Sequence, residues 1–208
     1  MERYDAALLH VYDYKENNGQ NSVRERPGLR SRLVVAAARL LFKNNQVDQF
    51  VLSGGAALGK TEALSTLSAD HLVRTGHIDH NSVKTNRSAQ VTTSKELETL
   101  KDEALVSSWS NTVSIGWELH RNRIQMLANK ILPKAKIDHK VLTAEQVLST
   151  YPSERNAKRY ESIIDAIHNS EGELRWQSYE KRMMLVMRIP FATQLLDFVA
   201  KIYRPKAD

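Results

Sequence analysis

A chain of 208 residues with 41% hydrophobic side chains is long enough to bury one good core and is not the composition of a disordered polymer. It has no cysteine, which excludes a disulfide framework, a thiolate zinc site and a cysteine nucleophile, and no metal site is assigned. The net charge of +6 divides into +1 over residues 1–104 and +5 over 105–208 without a dense basic run, so a mixed solvated surface is expected rather than a nucleic-acid footprint.

The first residues already carry Glu2, Arg3 and Asp5, unlike a secretory leader, and no apolar run approaches the roughly 18 residues of a membrane span. A soluble cytoplasmic protein is the expectation. Asp5 to Tyr12 (DAALLHVY) reads as a strand buried on both faces, with His10 as its one polar interruption, a residue type usually hydrogen-bonded in the core or at a sheet edge. The polar stretch Asp13 to Pro27 contains an Asn-Asn-Gly turn signal and exceeds the usual α/β connection of about 2 to 6 residues, enough to close over a ligand at the strand's end. Leu29 to Asn44 repeats Leu33, Ala36, Ala37, Leu40 and Leu41 at helical spacing. Arg32, near its start, is read as solvated, paired to an acid, or reaching the ligand crevice.

Phe50 to Ala63 (FVLSGGAALGKTEA) is the stretch around which the rest is arranged. An apolar run stops at Ser53, Gly54 and Gly55, and a helical pattern restarts at about Thr61, with Gly76 as its C-cap; strand, glycine turn and helix together offer backbone N–H groups to an anion. Gly54 to Thr61 also satisfies G-x-x-x-x-G-K-[ST], with Lys60 placed for β/γ-phosphates and Thr61 for magnesium. The apolar strand ending in Asp that a nucleotide hydrolase needs does not follow downstream, and the plainer reading is a solvated Lys60 beside a glycine turn.

A short strand is expected around Ser82 to Lys84, followed by a helix capped by Thr92 or Thr93, with Glu96 completing a capping box to Thr93 and Leu97, Leu100 and Leu105 forming its stripe. Thr112 to Gly116 reads as another strand, after which Glu118, His120, Arg121 and Arg123 open a helix that Pro133 stops. His120 and Arg123 are one helical turn apart, so an imidazole acid or base and an oxyanion-gripping guanidinium would share a face; the bland alternative is a surface histidine on a basic helix. From Thr143 the chain turns helical, with patterns over Ser153 to His168, Glu173 to Arg188 and Phe191 to Tyr203.

The ordered set of Asp5, Arg32-Leu33 with Ala36 and Leu40, Ser53-Gly54-Gly55, Glu62-Ala63, Gly76, Thr92, and His120 with Arg123 resembles the YdcF-like family, which includes SanA and ElyC and is described chiefly as a domain of unknown function. The likeness covers roughly residues 5 to 132. It implies a Rossmann-like sheet with polar residues at its carboxyl rim and a nucleotide-like ligand, S-adenosylmethionine having been associated with the family. Ser53, Gly54 and Gly55 would then supply the ligand cradle, Glu62 a hydroxyl or amine acceptor, and His120 with Arg123 a polar or anionic clamp. Two places depart from the family: Val11-Tyr12 stands where a glycine follows the first strand, and Ser94-Lys95 where Glu-Asn follows the threonine.

The expected architecture is α/β, a Rossmann-like three-layer fold with a mostly parallel sheet over residues 1–135 and a C-terminal helical extension over 136–208 packed on it. The expected activity is binding of a nucleotide-like or phosphate-bearing small molecule, with Arg32, Lys60, Thr61 and Thr92 also among the ligand contacts and transferase or hydrolase chemistry resting on His120, Arg123 and Glu62. The competing readings are a magnesium-dependent phosphate-loop NTPase or kinase using Gly54 to Thr61, and a non-catalytic module whose C-terminal helices bind a partner.

Overall fold

The computed structural model describes residues 2–14, 25–56, 60–87, 92–151 and 157–187. Strands β1 (Tyr4–Leu9), β2 (Val47–Ser53), β3 (Val83–Asn86), β4 (Asn111–Gly116) and β5 (Asp138–Thr143) are interleaved with helices α1 (Leu29–Lys43), α2 (Leu64–Gly76), α3 (Thr93–Ser107), α4 (Arg121–Ile131) and α5 (Ala144–Thr150). Two further helices, α6 (Ala157–His168) and α7 (Glu171–Met187), follow. The strands form one five-stranded sheet in the order β3-β2-β1-β4-β5, and every neighbouring pair is parallel. The protein is therefore α/β with a Rossmann-like three-layer fold.

β1 takes the centre because its run tolerates complete burial: Ala6, Ala7, Leu8 and Leu9 are all fully inside. α1, α2 and α5 pack together on one face and α3 and α4 on the other, as right-handed crossovers from β1 outward in both directions require. α1 forms where its apolar spacing was read, burying Leu33, Val34, Ala37, Ala38 and Leu41 on the sheet. α2 begins at Leu64, three residues later than the sequence pattern placed it. Its left-handed cap is His77 at φ 53°, not Gly76. Gly76 is closely packed instead: a Cβ there would stand 2.9 Å from Ile78 Cδ1 and 3.2 Å from Arg39 Cγ, so those side chains would have to give way.

The chain divides into two compact units after Tyr151. The first holds the whole sheet, so the boundary expected at residue 135 falls short of it by one strand and one helix. β5 (DHKVLT) escaped notice because it is an edge strand: only Val141 and Thr143 are buried, Asp138 and Lys140 face solvent, and no apolar run marks it. In the second unit α6 and α7 follow the two helical patterns read from Ser153 to Arg188 and bury Ile167, Tyr179, Met183 and Met187. The pattern over 191–203 lies outside the described residues. Among the described residues no helix is long and apolar enough to cross a membrane.

Candidate functional site at the carboxyl rim

Because all five strands run the same way, their carboxyl ends share one rim, and the strand order reverses between β1 and β4, where open α/β sheets leave a crevice. The chain leaving β1 is tied to β4 by His10 N–H donating to the Ile115 carbonyl at 3.0 Å. Tyr12 then lays its ring on His120 with centroids 4.4 Å apart and planes 25° from parallel, while its hydroxyl accepts from the Trp117 N–H at 3.1 Å. Glycine at 116 makes this seat: a Cβ there would sit 2.7 Å from the Tyr12 hydroxyl and 2.6 Å from Ile124 Cδ1. Arg123, in the first turn of α4, points a guanidinium nitrogen at His120 Nδ1, 3.2 Å away. A guanidinium only donates, so Nδ1 accepts and the imidazole carries its proton on Nε2. His120 and Arg123 thus share a face, the guanidinium being turned to the imidazole, and His120 is buried beneath Tyr12.

The Ser53-Gly54-Gly55 bend lies on the same rim at the end of β2, with β1 between it and β4, so about two strand spacings, roughly 10 Å, separate the two strand ends. Gly54 adopts φ 128°, open only to glycine, and both its polar backbone groups are engaged within the fold: its N–H donates to the Asn86 carbonyl at 2.9 Å and its carbonyl accepts from Ser65 Oγ at 2.5 Å. Ser53 is buried, its hydroxyl 3.0 Å from Thr99 Oγ1, and Gly55 is half-buried. Lys60 and Thr61 precede α2 by several residues instead of opening it, unlike a phosphate loop, and Lys60 Nζ stands 5.2 Å from the Tyr14 ring centroid. Glu62 is exposed, and its main chain is what the fold uses, the carbonyl accepting from the Tyr14 hydroxyl at 2.9 Å. Arg32 is exposed on α1. Thr92 is the N-cap of α3, accepting from the Lys95 N–H at 3.4 Å.

Anion-binding amides on this rim already hold carboxylates of the chain itself. Asp13 takes the N-terminus of α1, its Oδ1 accepting from Ser31 N–H at 2.9 Å and Ser31 Oγ at 2.8 Å, and a side chain at Gly28 would run into it. Glu145, in the first turn of α5, accepts from Glu118 N–H at 3.0 Å. Glu25 accepts from Glu62 N–H at 2.9 Å and from Thr61 N–H at 3.2 Å. These amide bonds come first in holding the Glu25 carboxyl below the usual carboxylate range, with the charge of Lys60 adding to them.

Below the rim, a polar chain runs through the core between the sheet and α3. Glu96 Oε2 meets His10 Nδ1 at 2.6 Å, His10 Nε2 meets Ser114 Oγ at 3.1 Å, His139 Nε2 meets the same Oγ at 3.0 Å, and His139 Nδ1 meets Thr112 Oγ1 at 2.8 Å. Register explains the convergence: Leu8 pairs with Ser114 and Thr112 with His139, so His10, Thr112, Ser114 and His139 all project from one face. Acid, imidazole and serine lie in the order of a hydrolytic triad, but Ser114 is fully buried in mid-strand and meets no substrate. Burial, and after it the charge on His10, pushes His139 down to about 3.

Sequence reasoning missed Tyr12, Asp13, Glu25, Glu96, Ser114 and His139. Glu96 had a usable signal: it stands on the same helical face as Leu97, Leu100 and Ala104, and an acid on an apolar stripe needs a buried partner. It was instead expected to close a capping box with Thr93, whereas it turns inward to His10 and Thr92 caps alone. Asp13 and Glu25 had none, since their targets lie 17 to 37 residues away. Comparison of the chain with protein-family models, with curated proteins and with solved structures yields no match.

Proposed function

We propose that the chain binds a nucleotide-like or phosphate-bearing small molecule at the carboxyl rim, beside the β1–β4 switch. The observation that carries this reading is the Tyr12–His120–Arg123 group at the place where the sheet's strand order reverses. It combines an aromatic ring, an imidazole whose Nε2–H is a donor, and a guanidinium suited to phosphate or carboxylate oxygens. The YdcF-like resemblance adds S-adenosylmethionine to the ligands to be tried. A transferase or hydrolase step on such a ligand would use the His120 N–H and Arg123 to steady charge developing on an oxygen.

Thermal-shift measurements on the full chain with ATP, S-adenosylmethionine and phosphosugars, with and without magnesium, test the reading. A ligand of the native state at about 100 times its Kd adds roughly 2.7 kcal/mol of apparent stability. At least one of these compounds is expected to raise the midpoint, and Arg123→Ala to remove the rise. No rise with any of them ends the proposal. A rise that needs magnesium and disappears in Lys60→Ala while surviving Arg123→Ala transfers the site to the phosphate-loop reading.

A further inference from the structure

The backbone N–H groups of Thr61 and Glu62 point at one carboxylate. Glu25 Oε2 lies 2.9 Å from Glu62 N and 3.2 Å from Thr61 N, and Oε1 lies 3.3 Å from Thr61 N. Two successive amides converging on one acceptor group, with a lysine adjacent, is the arrangement by which backbone turns hold anions. Tyr14 braces the same loop, donating to the Glu62 carbonyl at 2.9 Å, with its ring 5.2 Å from Lys60 Nζ. The backbone bridge between Tyr14 and Pro27 holds this brace beside Glu25.

Asp13 and Glu25 differ in how far they are built in. Asp13 satisfies the start of α1, where its carboxylate leaves no room for a side chain at Gly28 and also receives the Ser31 hydroxyl. Removing it opens a helix end. Among the described residues, Glu25 is held by the amides of Thr61 and Glu62, with the Thr61 side chain and the Lys60 charge adding to them, all at the surface, so another acceptor can take its place with the fold intact.

We propose that the amides of Thr61 and Glu62, with Lys60 beside them, are a binding site for a phosphate-class anion, and that Glu25 occupies it as an in-chain stand-in. This rests on the reading that the rim takes a phosphate-bearing ligand. A phosphate brings more acceptor oxygens and more charge than a carboxylate, and so gains more from the amides and the lysine. It must displace a competitor that is tethered and therefore locally concentrated, which weakens binding until Glu25 lets go.

The test uses the full chain and pyrophosphate, in wild type, Glu25→Gln and Glu25→Gln/Lys60→Ala, reading affinity by calorimetry and the Thr61 and Glu62 amide signals by NMR. Glu25→Gln is expected to bind at least about tenfold more tightly, since the carboxylate competitor is gone, with both amide signals moving on binding and the gain disappearing in the double variant. Glu25→Asp, one methylene shorter but still charged, is expected to fall between and serves if Glu25→Gln does not fold. In wild type without ligand, both amides should titrate with acid at a midpoint below the usual carboxylate range, and this titration should vanish in Glu25→Gln. Equal pyrophosphate affinity in wild type and Glu25→Gln overturns this inference and leaves the rim reading standing. Binding by neither overturns this inference, the rim reading being decided separately by the thermal shifts, and binding that leaves the two amides unmoved places the anion elsewhere and likewise overturns the inference alone.

Discussion

His139 carries a titration that follows from where its ring sits. Both ring nitrogens meet hydroxyls, of Thr112 and Ser114, and burial followed by the His10 charge pushes it down to about 3, so the folded chain holds it neutral. The unfolded chain takes up that proton near pH 6.5. Stability from this residue is therefore complete above about pH 6.5 and is lost as the pH falls toward the folded value. Between about pH 7 and pH 5.5 the loss from this one residue should be about 1 kcal/mol, above the range where ordinary carboxylates begin to titrate. Urea unfolding at those two pH values measures it. His139→Asn should flatten the difference, and an unaltered slope in the variant would show that the proton goes elsewhere.

At the scale of the element, α3 divides its work between its end and its inner face. Thr92 caps the helix and Ser108 closes it in the left-handed conformation at φ 58°. Thr92→Ala should cost about 1 kcal/mol, the ordinary worth of an N-cap, and leave ligand-induced thermal shifts unchanged if capping is its whole role. A lost ligand response at nearly wild-type stability would return Thr92 to the expected ligand contacts. The inner face carries Glu96, whose carboxylate is buried against His10. Removing one partner leaves the other's buried polar atom unsatisfied, so Glu96→Ala should cost about 1 to 3 kcal/mol. Glu96→Leu with His10→Leu should cost much less than the sum of the single changes, because neither polar group is then left unpaired. Denaturant midpoints of the three proteins decide it, and strict additivity would mean the 2.6 Å contact contributes no coupling.

For the whole molecule, the division after Tyr151 makes a prediction about where the chain can be cut. A protein ending at residue 151 keeps all five strands with α1 to α5 and should unfold in one cooperative transition. Ending at residue 135 instead removes β5 and α5, which turns β4 into an open edge and uncovers the α1 side that α5 packs against. That shorter chain should aggregate or lose its cooperative melt. Circular dichroism melts and gel filtration of the two truncations distinguish them, and a well-behaved chain ending at 135 would mean that β5 is an appendage.

The amino-acid order by itself determined the fold class and most of its elements. Buried central strands must be apolar on both faces and helices must repeat at their own period, and those local requirements are written into Ala6 to Leu9, Leu33 to Leu41 and Phe50 to Leu52. It also placed His120 beside Arg123, because one helical turn is a fixed distance. Only the tertiary structure decided that Tyr12 stacks on His120, that Glu96 reaches His10 across 86 positions, and that Glu25 lies on the amides of Thr61 and Glu62. Those contacts depend on strand register and on which helix covers which face, and neither follows from the composition of any single stretch.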